Sequence, residues 1–171
     1  INVAGKVEMS WFNGTKQTIT SSIIMPTEKW HNVCVVYDNS TSIAKLYIDG
    51  FEDASKTLSN VPANPTQSFL IAAADGVTPT SFFNGTIDEV RVWNVALSIK
   101  ELRYVMNQEI LSNGIATNGK IIPNSITSNE ISSIPWSNLS AYYPMSTYTF
   151  TNAKDISNNN NTAALRNLTT V

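Results

Sequence analysis

The chain is poor in the residues that most covalent staples and catalytic or metal sites require. Its 171 residues include one cysteine and one histidine, and only 14% are charged, well below the usual quarter. Eleven basic against 13 acidic side chains give a formal net charge of -2, so no basic surface is available to recruit nucleic acid. A single cysteine forms no internal disulfide. Cys34 sits in the apolar run Val33-Cys34-Val35-Val36 and reads as a small buried hydrophobe rather than a reactive thiol. One histidine and one cysteine also fall short of the ligand set of a transition-metal site. No uninterrupted apolar run approaches the roughly 20 residues of a membrane helix, and no membrane insertion is expected. The sequence opens on Ile1-Asn2-Val3-Ala4-Gly5, without an initiator methionine or the basic and apolar regions of a signal peptide, and is read as an excerpt of a longer polypeptide.

What the chain has in quantity is Ser, Thr and Asn, together about a third of its residues; these favour turns and strand edges over helix interiors. The 42% of hydrophobic residues can build a core, and 18.8 kDa suits one domain, or a domain plus a fragment of a second. The composition points to an extracellular all-β protein.

Short runs rich in Val, Ile, Trp, Phe and Tyr, separated by Asn, Gly, Ser and Thr, predict strands at 3–12, 18–25, 30–38 and 43–49. The last two are joined by Asn39-Ser40-Thr41-Ser42, which suits an antiparallel hairpin. Ala44, Leu46 and Ile48 alternate with Ile43, Lys45 and Tyr47, so one face is fully buried and the other carries a charge. Further strands are expected at 68–74 and 83–93. In the second of these Ile87 and Val90 have opposite parity, so either a bulge at Asp88-Glu89 restores the face or the strand is buried on both sides. Ser98-Ile99-Lys100-Glu101 is a capping box, followed at helical spacing by Leu102, Val105, Met106 and Ile110; it predicts one short helix over about 99–110. Residues 112–135 lose the apolar period and read as a linker or surface crossing. Strand character returns at 139–145, near Phe150 and at 163–168.

Three stretches resemble the laminin G-like, concanavalin A-like jelly-roll modules of secreted bacterial proteins. Glu28-Lys29-Trp30-His31 through Tyr37-Asp38 resembles that family's Trp-His strand, and Lys45-Leu46-Tyr47-Ile48-Asp49-Gly50 its partner strand. Phe83-Asn84-Gly85-Thr86-Ile87-Asp88-Glu89-Val90-Arg91-Val92-Trp93, with Ala96-Leu97-Ser98 and Glu101, is similar to its closing strand and terminal helix. The resemblance covers roughly residues 7–110 and implies an antiparallel jelly-roll β-sandwich. Residues 1–111 are then the later part of one module. Leu139-Ser140-Ala141-Tyr142-Tyr143-Pro144-Met145, with Asp155-Ile156-Ser157-Asn158 and Ala163-Ala164-Leu165, resembles the beginning of such a module. Residues 136–171 are therefore either the first strands of a following repeat or strands that complete a permuted module beside 83–93.

Catalysis finds little support. His31 has no serine or cysteine placed as a nucleophilic partner. Glycosidase chemistry needs two carboxylates across one cleft, whereas Asp88 and Glu89 are adjacent and point to opposite faces of a regular strand. The chain contains no Glu-x-Asp, part of the strand motif that related jelly-roll glucanases carry. No cofactor is required. For calcium, the hard oxygens of Asp155, Ser157, Asn158 and Asn160 cluster in one loop, although such loops also form turns without an ion; Asp38, Asp49 and Asp75 share that ambiguity. For carbohydrate, aromatic rings stack on sugar faces while amides bind hydroxyls. Among Trp11, Phe12, Tyr47, Phe82, Trp136, Tyr142 and Tyr148, the adjacent pairs Trp11-Phe12 and Phe82-Phe83 each direct one ring outward, and Asn-Gly follows both. Trp11, Phe12, Asn13, Phe82 and Asn84 are thus the candidate ligand residues.

The expected role is a non-catalytic binding or adhesion module of a large secreted or cell-surface bacterial protein. Its partner would be a glycan or cell-surface polymer, or neighbouring repeats of the same polypeptide. A structural spacer or protein-binding repeat, and an ancillary module of a polysaccharide-degrading enzyme, are the competing readings.

Overall fold

The computed structural model describes residues 1–59, 69–73, 81–112, 116–120, 130–146, 149 and 151–165. The chain divides into two compact units, Ile1–Gly85 and Thr86–Val171.

In the first unit, β1 (Glu8–Asn13) and β2 (Thr15–Thr20) form an antiparallel hairpin, while β3 (Val33–Asp38), β4 (Ile43–Ile48) and β5 (Phe51–Thr57) form a sheet in that order. Period two dictates what each face buries. Ala44, Leu46 and Ile48 are buried on the inner face of β4, and Leu46 and Ile48 meet Val7, Ile19 and Met25 in one core with Trp11, Val35 and Ala54 packed against it. Complete burial of a side chain such as Leu46 stabilises the unit by roughly 1.5–3 kcal/mol. On the outer face Lys45 reaches across to Glu52 at 2.8 Å. Burial pushes the Cys34 thiol pKa up to about 11, so it stays protonated and unreactive at neutral pH.

Strand β5 was not expected, because Phe-Glu-Asp-Ala-Ser-Lys-Thr has no strong apolar alternation. The Asp49-Gly50 turn before it has positive φ at both residues, 50° and 75°, the signature of the two-residue turn that returns a twisted strand on its neighbour. Register shifts between Leu46 and Tyr47, which pair with Ala54 and Glu52. Asp53 is thereby the extra residue of a bulge, and its carboxylate accepts the Ser22 N–H and hydroxyl at 2.6 Å each. The strand predicted from residue 30 begins at Val33, since His31 and Asn32 are tied to the Asp49 turn rather than to a ladder. Residues 69–73 form no strand; Ser68, Ala74 and Asp75 lie outside the described residues.

In the second unit, β6 (Val90–Trp93) pairs antiparallel with β10 (Leu139–Tyr143), and β7 (Glu109–Ser112), β8 (Ala116–Lys120) and β9 (Glu130–Pro135) form a three-stranded sheet. Strands β11 (Asn152–Ala153) and β12 (Ala163–Ala164) make a short pair. Two strands therefore occupy the stretch that reads as a linker; their pairing rests on backbone hydrogen bonds, which a polar sequence such as Ala-Thr-Asn-Gly-Lys does not advertise. The expected strand 83–93 is confined to its last four residues. Glu89 has φ 55° and turns the chain at the start of β6, so the parity mismatch with Ile87 falls outside the strand. The irregularity of this pair lies on β10, where Leu139 faces Trp93 and Ala141 faces Val92, leaving Ser140 unpaired.

Helix α1 (Ile99–Val105) starts with the predicted capping box: Glu101 N–H donates to Ser98 Oγ at 3.3 Å and Ser98 N–H to Glu101 Oε2 at 2.7 Å. It ends one turn earlier than its apolar spacing implies. The guanidinium of Arg91 donates to the carbonyls of Val105 and Gln108, satisfying acceptors that a terminating helix leaves free. Ile110 reaches the core from β7 instead, with Leu97, Val105, Ile134, Trp136, Leu139 and Tyr142. Near Phe150 the strand character expected there is met by β11 (Asn152–Ala153), while Phe150 itself, Tyr148 and residues 166–168 of the last expected strand lie outside the described residues.

Candidate ligand-binding edge

The β1–β2 hairpin turns at Gly14, whose φ of 75° favours a residue without Cβ. Two residues earlier the strand alternation separates the aromatic pair: Trp11 packs against the core, and the Phe12 ring is 64% exposed. Asn13, paired with Thr15, ends the strand at the turn. The expectation of one outward ring holds here. At the second pair both rings meet solvent, Phe82 at 59% and Phe83 at 37%. Phe83 is anchored through its N–H to the Ala72 carbonyl at 2.8 Å, and its ring lies over Gly85, where any Cβ would come within 2.7 Å of it. Asn84 between them is exposed.

Further exposed rings escaped sequence reasoning, Trp30 and Phe51 among them. Trp30 is 67% and Phe51 69% exposed, although both adjoin predicted strands, where burial is the default for aromatics. Asp49 ties their segments together. Its N–H donates to the Asn32 carbonyl at 2.9 Å, its Oδ1 accepts the Asn32 N–H at 2.8 Å, and its Oδ2 lies 2.8 Å from His31 Nδ1. Burial alone would raise the Asp49 carboxyl; the bonds from His31 and Asn32 prevail and hold its pKa below the ordinary value. His31 is thus a partner of a turn carboxylate, and among the described residues its enclosed Nε2 has no hydrogen-bond partner, a nucleophilic serine or cysteine included.

The Asp155 loop closes on itself. Asp155 is 2% exposed. Its Oδ1 accepts the N–H groups of Tyr142 at 2.9 Å and Ser157 at 2.8 Å, and its Oδ2 accepts the Ser157 hydroxyl at 2.9 Å and the Asn161 N–H at 2.8 Å. Burial would raise this carboxyl, but the donors outweigh it and leave its pKa below the ordinary value. The unpaired bulge residue Ser140 offers its carbonyl to the amides of Asn159 at 3.1 Å and Asn161 at 2.9 Å. Asp155 and Ser157 are buried while Asn158 and Asn160 are exposed. Both carboxylate oxygens already face N–H and O–H donors that a cation would have to displace, so this set does not fit a calcium ion as it stands. Asp38 likewise accepts the N–H and hydroxyl of Ser40 at 2.8 and 2.6 Å.

Laminin G family resemblance is borne out by comparison. The laminin G family model described as the concanavalin A-like lectin/glucanases superfamily matches residues 1–103. The chain belongs to this family. A solved structure similar to this laminin G-like chain is the S-layer domain-containing protein (residues 221–444) from Clostridium thermocellum ATCC 27405. It has 21% sequence identity and a TM-score of 0.37, with 60% of this chain and 52% of that one covered, so the match spans about half of that chain.

The superfamily's description includes glucanases, and the adjacent carboxylates of the laminin G-like chain can be judged against that chemistry. Glu89 Oε2 is bound by the Arg91 guanidinium and, at 2.7 Å, by the Tyr142 hydroxyl; the Arg91 side chain is 7% exposed. Asp88 is folded back on the Glu89 N–H at 2.9 Å. Neither is poised as one of two carboxylates flanking a glycosidic bond.

Proposed function

We propose that the chain is a non-catalytic binding module of a secreted or cell-surface protein and that it recognises glycans or a surface polymer through exposed aromatic rings. The observation that carries this reading is the outward Phe12 ring at the tip of a hairpin whose neighbouring ring, Trp11, is spent on the core. An aromatic ring held in solvent on a rigid turn offers an apolar face to a sugar at little entropic cost. Phe82 and Asn84 repeat the combination of ring and amide on the loop before Thr86. The neutral, Ser-, Thr- and Asn-rich composition supports a hydroxylated ligand over a charged one.

Residues 136–165 complete the closing sheet of the second unit in this reading; the antiparallel pairing of β10 with β6 supports it. The ligand site requires no metal. The test is a glycan array probed with the purified chain, in calcium and again in chelator, alongside Phe12→Ala and Phe82→Ala. Selective binding that falls in those variants and persists in chelator is the expected result. A folded chain that binds no glycan under either condition would overturn it.

A further inference from the structure

Resting on the glycan-binding reading, we infer a second binding edge, distinct from the Phe12 and Phe82 tips, at the Asp49-Gly50 end of the β3–β4–β5 sheet: Trp30 and Phe51 form its stacking rings, and His31 with Asn32 its hydroxyl-binding groups, for a neutral oligosaccharide. The Asp49 bonds fix residues 31 and 32 beside the turn. Trp30 directly precedes this pair and Phe51 directly follows the turn, so both rings emerge at one end of the sheet. In register, Val33 faces Ile48 and Ile48 faces Phe51, a row of apolar side chains on one face. Ile48 is buried, whereas Val33 is 45% exposed and Phe51 more so.

The polar half of the edge is the more telling. His31 Nε2 and Asn32 Oδ1, on consecutive residues, are enclosed and, among the described residues, unpartnered, and unmade hydrogen bonds of this kind are costly. With Nδ1 facing the Asp49 carboxylate, the neutral imidazole carries its proton there, which makes Nε2 an acceptor. Both groups therefore lack the same thing, an O–H or N–H donor. A sugar presents an apolar C–H face for the rings and a rim of hydroxyl donors for the acceptors, and side-chain movement at this edge has to admit the hydroxyls to those enclosed atoms. Charge selects the class of sugar. At this end Lys45 is matched by Glu52, Glu28 stands next to Lys29, and His31 with Asp49 carries no net positive charge in either protonation state, so nothing favours an anionic polymer.

The full chain is titrated with neutral glucan, xylan and mannan hexasaccharides and with a sulfated polysaccharide, using wild type, Trp30→Ala, Trp30→Phe, Phe51→Ala and the tip variants Phe12→Ala and Phe82→Ala. Circular dichroism checks that each variant is folded. We expect affinity for a neutral hexasaccharide to fall about tenfold in Trp30→Ala and in Phe51→Ala, a loss of the size that one aromatic contact supplies, and to be largely kept in Trp30→Phe. Binding lost only in the tip variants overturns the second edge and leaves the glycan-binding reading standing. Preference for the sulfated polymer overturns the neutral class. Absence of binding to every glycan overturns both readings together.

Discussion

The hydroxyl of Tyr142, on β10, donates a 2.7 Å hydrogen bond to Oε2 of Glu89, the residue that turns the chain into β6. The same hydroxyl accepts the Ile110 N–H at 3.3 Å, and the Arg91 guanidinium lies 5.0 Å from the Tyr142 ring centroid. Burial first, and then the bond to Glu89, push the phenol pKa up to about 12, so it remains a donor at neutral pH. One side chain thus links the two paired strands, β7 and the half-buried Glu89–Arg91 ion pair.

Tyr142→Phe keeps the ring and its contact with Arg91 but leaves the Ile110 N–H without an acceptor and removes one donor from Glu89. Orphaned buried groups cost about 1–3 kcal/mol each, and a loss in that range is expected. Urea unfolding should show a lower midpoint with an unchanged slope; an unmoved midpoint would mean the hydroxyl contributes nothing.

Asp155 gives a pH dependence of definite sign. Its folded-state pKa lies below the ordinary value, which is about 3.9 for an unfolded aspartate. Its contribution is fully present above that value and is lost as pH falls through the folded pKa. Asp155→Asn places an amide N–H₂ against donors that need an acceptor, so stability at pH 7 should drop by about 2–4 kcal/mol. The variant should also lose part of the wild-type decline that sets in as pH falls below about 4. Parallel acid limbs for the two proteins would assign that decline to other carboxylates.

The alternation of Ala44, Leu46 and Ile48 was legible because period two leaves a direct trace in sequence, and the Ser98–Glu101 capping box because its chemistry is local. Strand β5 was not, since Glu52, Asp53 and Ser55 serve a pairing partner, a bulge and an outer face rather than a core. The helix end was hidden for a related reason: Arg91, seven residues before the N-cap, terminates it through space. At the candidate edge, alternation was enough to predict one outward ring in the Trp11-Phe12 pair. The exposure of Trp30 and Phe51 depends instead on how the Asp49 carboxylate gathers residues 31 and 32, a contact between segments 17 and 18 residues apart that no local pattern reveals.

Calcium should leave thermal stability unchanged. A ligand that binds only the native state raises the melting temperature, but at the Asp155 loop it would have to break four hydrogen bonds to reach the carboxylate. Scanning calorimetry in millimolar calcium and in chelator should give coincident transitions, and a clear calcium-dependent rise would restore a metal site.

Truncation after residue 135 separates the two accounts of the last segment. If 136–165 began an independent repeat, its removal would leave the rest of the chain as stable as before. The structure joins it to what precedes it in two ways. Strand β10 occupies an edge of β6, and Trp136, Leu139 and Tyr142 share one core with Leu97, Val105 and Ile110. Loss of the strand would expose that edge, and loss of three large buried side chains, at about 3–5 kcal/mol for an aromatic and 2–5 for a leucine, exceeds what a domain of ordinary stability can absorb. Cooperative melting of the second unit should therefore disappear in the truncated chain. Hydrogen exchange should locate the damage: the amides of Val90–Trp93 lose protection, while those of Val33–Asp38 in the first unit, whose core contains none of the deleted residues, keep theirs. Retained protection across Val90–Trp93 would instead identify residues 136–165 as the start of a separate module.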